Sequence, residues 1–215
     1  MNITFIAPPA AGKGTQSAKV SRKYGLPHIS TGDLLRKVDD EDLQNKLSQG
    51  QFASDELVTR LLEERLKEDD CDKGYVLDGF PRNLKQARIY DELLEKLHKD
   101  KGIVIVLDLD KEIAAKRIIG RKVCPNCGEV FNDLIEESKP KQEGICDKCH
   151  GNLTSRDDDS EETFEKRYQI YQKETAPLIK YYESKNMAYH VDSSKDSDYA
   201  FKGIEQIIGG LYDKH

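Results

Sequence analysis

The residues of this sequence that could do chemistry form three groups: a lysine in a glycine-containing turn, two pairs of cysteines, and a set of arginines around one aspartate. The first is Ala7-Pro8-Pro9-Ala10-Ala11-Gly12-Lys13-Gly14-Thr15, which follows a short apolar run and opens a helical stretch. A loop leading from a strand into a helix N-terminus aims backbone N–H groups, and the positive end of the helix dipole, at an anion. Lys13 would reach terminal phosphates as a mobile point charge. The general phosphate-loop pattern is met in part. Ala7 stands at its first glycine, and Gly14 intervenes between Lys13 and the hydroxyl of Thr15. Alone, the fragment also reads as an ordinary lysine at a helix start.

The second group is Cys124-Pro-Asn-Cys127 and Cys146-Asp-Lys-Cys149. Cysteines three apart around a tight turn can place both sulfurs on one metal. Four thiolates make the closed tetrahedral site of a structural zinc, with no open position for a substrate. The blander reading is four reduced thiols holding nothing. His150 is spare. Zinc ribbons also occur in nucleic-acid binders, but Glu129, Asp133, Glu136, Glu137, Glu143 and Asp147 make this segment anything but a basic face.

The third group suits phosphoryl transfer, which needs positive charge around the migrating group, Mg²⁺ and exclusion of water, but few covalent steps from the protein. Asp78-Gly79-Phe80-Pro81-Arg82 follows the apolar Tyr75-Val76-Leu77. An acid at the C-terminal end of a strand lies where open α/β sheets bind ligands, here near a magnesium. Gly79 and Pro81 would turn Arg82 inward. Arg117 and Arg121 are expected on one face of a helix just before the cysteines, Arg156 just after them, and Arg167 on a long helix. For any single arginine a solvated role is the ordinary one. Their placement at both hinges of one segment favours a site.

The elements that must position these groups alternate. Apolar runs at 3–7, 75–77, 103–107 and 187–191 read as buried strands, with 27–29 as a fifth. Helical patterns cover about 13–24, 56–68, 83–98, 110–119, 160–185 and 198–213. Strands alternating with helices imply a parallel sheet covered on both faces. Phe164, Tyr168, Tyr171, Leu178, Ile179 and Tyr182 read as a core-facing stripe of the longest helix, which Pro177 should bend. Residues 30–55 and 122–157 break the alternation and read as insertions.

Composition limits the rest. The chain has 215 residues, 37% hydrophobic and 34% charged, with a net charge of −6. That balance argues against a nucleic-acid surface but allows a local basic cleft. No run of eighteen apolar residues predicts a membrane span, and the N-terminus lacks the pattern of a signal peptide. With the solitary Cys71 the cysteine count is odd; that, the absent signal-peptide pattern and the paired C-x-x-C spacing favour a reducing, cytoplasmic setting and a metal over disulfides.

Taken together the motifs resemble the adenylate kinase family, in its long-lid, zinc-containing form, over almost the whole chain. They run in order: Gly12-Lys13-Gly14-Thr15-Gln16; Ile29-Ser30-Thr31-Gly32-Asp33-Leu34-Leu35-Arg36; Asp78 to Arg82 with Gln86; Gly120-Arg121-Lys122; the cysteine pairs; Arg156-Asp157-Asp158-Asp159; Arg167; and Thr175-Ala176-Pro177-Leu178-Ile179. The resemblance implies a P-loop nucleoside monophosphate kinase fold of class α/β, with five parallel strands and two mobile flaps. The core would be 1–29, 56–121 and 158–215, the AMP-binding flap 30–55 and the lid over ATP 122–157.

It further implies the reversible reaction of MgATP with AMP to give MgADP and ADP, in a monomer that needs neither nucleic acid nor membrane. Ala10, Ala11, Gly12, Lys13, Gly14 and Thr15 would hold ATP phosphates. Arg117, Arg121, Val130, Phe131 and the backbone at Lys195 would meet the rest of ATP. Thr31, Arg36, Gln51, Phe52, Ala53, Gly79, Phe80, Pro81, Arg82 and Gln86 would hold AMP, and Arg156 and Arg167 would bridge the phosphates. Lys13, Arg36, Arg82, Arg121, Arg156 and Arg167 would stabilise transferred charge, with Asp78 orienting Mg²⁺. Cys124, Cys127, Cys146 and Cys149 would bind Zn²⁺ and stiffen the lid.

The chain departs from the family pattern at several points. Ala7 and Ala10 replace glycines, Lys122 replaces the second arginine of a pair, and the segment between Arg36 and Gly50 is short. If Ala10 requires positive φ, it costs about 1–2 kcal/mol. Two rival readings remain at this level: a kinase for another nucleoside monophosphate, and a non-catalytic nucleotide sensor. Gln86 and Thr31 favour AMP, and the arginine set weighs against a mere sensor.

Overall fold

The computed structural model describes residues 1–48, 53–156 and 159–212. The five expected strands form one parallel sheet: β1 (Asn2–Ile6), β2 (His28–Ser30), β3 (Tyr75–Asp78), β4 (Ile103–Asp108) and β7 (Ala188–Asp192), in the order β2-β3-β1-β4-β7. Every residue of the central β1 is buried, as expected of a parallel strand covered on both faces. Side chains alternate between the two layers. Ile3 and Phe5 of β1, Val76 of β3 and Ile105 and Leu107 of β4 pack with Val20 of α1 (Lys13–Tyr24) and with Ile204 and Ile208 of α9 (Ser197–Tyr212). Ile6, Val104 and Val106 face the other way, onto Ala87 of α5 (Leu84–Lys96) and Leu178 and Tyr182 of α8 (Ala176–Glu183).

The register brings the strand ends level. Phe5 is opposite Asp78, and Asp78 is opposite Ser30. The loop after β1, the start of α2 (Thr31–Arg36) and the Asp78–Arg82 turn therefore share one edge of the sheet. Side chains cap the next helices. Ser30 accepts from the Asp33 N–H at 3.2 Å, Ser54 from Leu57 ahead of α4 (Asp55–Leu66) at 3.2 Å, and Asn83 from Gln86 ahead of α5 at 2.9 Å. The short α3 (Glu41–Ser48) lies between α2 and α4.

Two expectations need correction. The stretch 160–185 is helical as expected, but not α-helical throughout. It divides into α7 (Glu161–Ile170), a π-helical turn at Tyr171–Thr175, and α8, with Pro177 in the first turn of α8. Pro177 has no N–H to give the preceding turn, and a helix start is where that loss is tolerated. Phe164, Leu178 and Tyr182 are buried as the stripe required, whereas Tyr168 and Tyr171 are only half-buried. Arg121 does not share a helix with Arg117. Helix α6 (Lys111–Ile119) ends at Gly120, and Arg121 begins the hairpin of β5 (Arg121–Val123) and β6 (Val130–Asn132). A β-carbon on Gly120 would lie 2.2 Å from Oδ1 of Asn132, so a larger residue there would push the Asn132 amide off the Lys116 and Arg117 carbonyls to which it donates.

Among the described residues, no helix is long and apolar enough to cross a membrane.

Candidate active site and cysteine centre

The phosphate-loop sequence does form the turn between β1 and α1. Ala10 has φ +66° and Gly12, at the N-cap of α1, has φ +80°. No side chain caps this helix and no acid lies in its first turn. Its N–H groups and dipole are thus turned toward an anion, with Lys13 as first residue. Ala10 adopts the left-handed backbone that normally favours glycine. Its methyl group packs beside Ala114, Ile118 and Phe164.

Lys13 forms an ion pair with Asp78, whose side chain is 11% exposed. Burial works to raise the Asp78 carboxyl, but the nearby His28 imidazole and the Lys13 ammonium hold it down to about 2. Nε2 of His28 lies 3.7 Å from the carboxylate, beyond hydrogen-bond reach. The Thr31 hydroxyl donates to the Asp78 carbonyl at 3.4 Å. A β-carbon on Gly79, at φ +91°, would strike Thr31 Oγ1 at 2.6 Å, so the close approach of these two segments requires glycine. Arg82 turns back as expected and donates from Nε to the Gly79 carbonyl at 2.8 Å. Burial pushes its guanidinium down, Asp78 opposes that, and the like charge of Arg167 adds to it. Lys13, Thr31, Asp78, Gly79, Arg82 and Arg167 are thereby brought to one place.

The π-helical turn has a use here: it sets the Thr175 hydroxyl 2.8 Å from the Arg82 carbonyl. Gln86 is buried and joins the same network through the Arg82 N–H at 2.7 Å and Asp55 at 2.8 Å. Phe80 and Pro81 are buried beneath it.

The other expected residues stand further out. Arg36 is exposed and paired with Asp33. Arg117 donates to the carbonyls of Ser194 at 3.2 Å and Lys195 at 2.6 Å, joining the end of α6 to the turn after β7. Arg121 grips the buried Asp159, with Nε at 2.7 Å. Arg156 and Val130 are exposed, whereas Phe131 is turned inward between Cys124 and Cys146. Ala11 is buried, Gly14 and Thr15 are exposed, and Ala53 is half-buried. Gln51 and Phe52, and with them Asp157 and Asp158, lie outside the described residues. His28, Asp55, Asp159 and Thr175 are support residues that spacing alone does not reveal. They reach the site through strand register, from the loop ahead of α7, or from helices remote in sequence.

The four cysteines converge, with all sulfurs within 4.8 Å of one another. Cys124 and Cys149 are 3.3 Å apart and Cys127 and Cys146 3.5 Å, far longer than a disulfide and near the spacing of sulfurs around one tetrahedral zinc. Each knuckle closes with a matching backbone bond, Gly128 N–H to Cys124 carbonyl and His150 N–H to Cys146 carbonyl, both 2.9 Å. Burial alone would raise the Cys124 thiol, but backbone N–H groups and neighbouring thiols bring it down to about 7. At Cys149 the Gly151 N–H acts in the same sense, yet the sulfur neighbours prevail and push it up to about 12. Four thiols so close cannot all ionise without a cation, and an all-thiol donor set fits zinc.

An uncapped helix N-terminus with a lysine, set beside a buried carboxylate at the C-terminal edge of a parallel sheet, defines a nucleotide-phosphate-binding α/β protein. The comparisons with known proteins narrow this. The family model described as adenylate kinase matches residues 5–187. Curated relatives, each named adenylate kinase, include one from Archaeoglobus fulgidus, 45% identical over 97% of this chain and 98% of its own length. Another, from Fervidobacterium nodosum, is 42% identical over the full length of both chains. A third, from Clostridium tetani, is 40% identical over 98% of this chain and 100% of its own. The chain belongs to the adenylate kinase family.

Proposed function

We propose that this chain transfers a phosphoryl group between ATP and AMP: MgATP + AMP gives MgADP + ADP, reversibly. The observation that carries this reading is the Lys13–Asp78 pair across the open N-terminus of α1, with Arg82 and Thr31 alongside. When MgATP enters, Lys13 exchanges Asp78 for phosphate oxygens. Asp78, ionised throughout the neutral range, is then available to orient the magnesium through water. A phosphate oxygen of AMP attacks the γ-phosphorus in line. The new P–O bond forms as the bond to the β–γ bridging oxygen breaks, and ADP leaves with that electron pair. Arg36, Arg82, Arg121, Arg156 and Arg167 neutralise the charge spread over the transferring group. No nucleophilic side chain is required, since the two substrates meet directly.

Residues 30–55, with Gln51, Phe52 and Ala53, serve as the AMP flap, and 122–157 as the lid over ATP. Their closure excludes water from the transfer. Arg121 would release Asp159 to reach phosphate. Cys124, Cys127, Cys146 and Cys149 hold zinc, which stiffens the lid and takes no part in the transfer. The protein acts as a cytoplasmic monomer.

The test is ADP formation from ATP and AMP with Mg²⁺, with GMP, CMP and UMP as parallel acceptors. Turnover with AMP and little with the others is expected. Silence with every acceptor, from folded and zinc-loaded protein, would leave only a nucleotide-binding protein.

A further inference from the structure

The Gln86 carboxamide is held on both sides by groups that cannot exchange roles. Its Oε1 accepts from the Arg82 backbone N–H at 2.7 Å, and its Nε2 donates to Asp55 Oδ1 at 2.8 Å. A backbone N–H can only donate. Asp55 can only accept while it is ionised. Burial works to raise the Asp55 carboxyl, but the Lys85 ammonium, 2.7 Å from its other oxygen, and the Gln86 amide itself hold it below the ordinary carboxylate range. A flipped Gln86 would set NH₂ against N–H and oxygen against carboxylate, at a residue only 5% exposed. Both groups would then be buried without partners.

We propose that Asp55 is a positioning residue that locks the orientation of the Gln86 carboxamide, and so selects a 6-aminopurine over a 6-oxopurine in the acceptor monophosphate. The proposal rests on the phosphotransferase reading above. After its two protein contacts the carboxamide retains one acceptor site on oxygen and one N–H. Their order is fixed, oxygen on the Arg82 side and nitrogen on the Asp55 side. A 6-aminopurine offers an N–H donor next to a ring-nitrogen acceptor, which complements that order. A 6-oxopurine offers an acceptor at O6 next to the N1–H donor, the reverse. A freely turning carboxamide would flip and serve both bases; the locked one serves the first. Asp55 is the first residue of α4 and its place is set by the Ser54 cap, so the lock joins α4 to α5 across residues distant in sequence.

The experiment compares kcat/KM for AMP and for inosine monophosphate, which differs from AMP only in carrying O6 and N1–H, in the native chain and in Asp55→Asn. The asparagine keeps the size; with its oxygen toward the Lys85 ammonium its NH₂ faces Gln86, so only the Arg82 N–H still opposes a turn of the carboxamide. The AMP-over-IMP ratio is expected to fall at least about tenfold, through weaker AMP and stronger IMP use, with the KM for ATP unchanged. Loss of a merely structural contact would lower both monophosphates together, and an unaltered ratio would overturn the lock. A native chain without turnover on AMP would sink the phosphotransferase reading instead. Independent of any variant, the Gln86 side-chain N–H protons in an NMR spectrum of the unaltered protein are expected to be shifted and slow to exchange. Fast exchange like that of exposed glutamines would overturn the lock as well.

Discussion

The sheet edge around Asp78 and the segment around the four cysteines hold their chemistry by opposite means. At the sheet edge, burial does the positioning. All of β1 and β3 is inside, and the site residues extend from strand ends packed on both faces. Residues 121–156 have almost nothing to bury: Cys124, Phe131 and Cys146 are inside, with Cys127 and Leu153 packed partly against them. A ribbon with so small a core does not hold itself together in water. In the first region packing organises the chemistry; in the second the chemistry of the sulfurs must stand in for packing.

The largest expected effect would break this contrast if it failed. Apparent binding free energies of structural zinc in small ribbons are about 10–16 kcal/mol, which is folding free energy wherever no other core exists. Chelation, or Cys146→Ser, should therefore unfold the cysteine segment and leave the five-stranded sheet intact. Limited proteolysis checks it: cleavage confined to residues 124–149 is expected, with the Ile3, Ile105 and Val76 amides still protected from hydrogen exchange. A segment that stays protected without metal would show that its few apolar contacts suffice.

The second effect concerns the other region. The Asp78 carboxyl is lowered in the folded protein from 3.8 to about 2. A depressed carboxyl contributes stability that is present above its unfolded value and is lost as pH falls through the folded one. Here that places the loss between about pH 4 and pH 2, with a size of about 2 kcal/mol. Acid would also protonate the four thiols and release a metal held between them, so the slope must be read as the difference between the native chain and Asp78→Asn in urea unfolding at stepped pH. Asp78→Asn should lose that part of the acid dependence. Equal slopes would mean that the contacts of Asp78 with Lys13 and His28 contribute nothing to holding the strand ends together.

How far the sequence made these regions legible follows the same division. The five strands and the cysteine cluster could be read because each rests on a local signal, a buried apolar run or a fixed spacing of sulfurs. The roles of His28, Asp55 and Asp159 could not. His28 reaches Asp78 through the register of β2 on β3, Asp55 reaches Gln86 from another helix, and Asp159 meets Arg121 across the whole cysteine segment. The placing of Arg121 on a helix failed for a related reason: the amide that takes up the last carbonyls of α6 belongs to Asn132, in a strand not yet formed in any local reading. Pro177 announced an interruption in its helix. It did not announce that a π-helical turn would precede it and carry Thr175 to Arg82.

The smallest effect sharpens the claim that packing governs the sheet edge even in its loop. Ala10 at φ +66° should cost about 1–2 kcal/mol relative to glycine in the same conformation. Two terms oppose that cost. Alanine loses less chain freedom on folding, by about 0.5–1 kcal/mol, and its methyl lies against Ala114, Ile118 and Phe164, where a buried methyl contributes about 0.8 kcal/mol. The terms nearly cancel, so Ala10→Gly should leave Tm within about 3 °C of the native value. Gly12 supplies the mirror case two residues on. It too is left-handed, at φ +80°, but a β-carbon there would meet nothing within 4 Å. Gly12→Ala bears the conformational cost without the contact, and should lower stability by about 1 kcal/mol in ligand-free protein. Thermal unfolding of the two variants, side by side with the native chain, separates the contributions. If both move Tm equally, the methyl of Ala10 is not held by the cluster beneath it, and conformation alone sets the loop. If only Gly12→Ala moves it, alanine is tolerated at the family's glycine position because this chain has built an apolar seat for it.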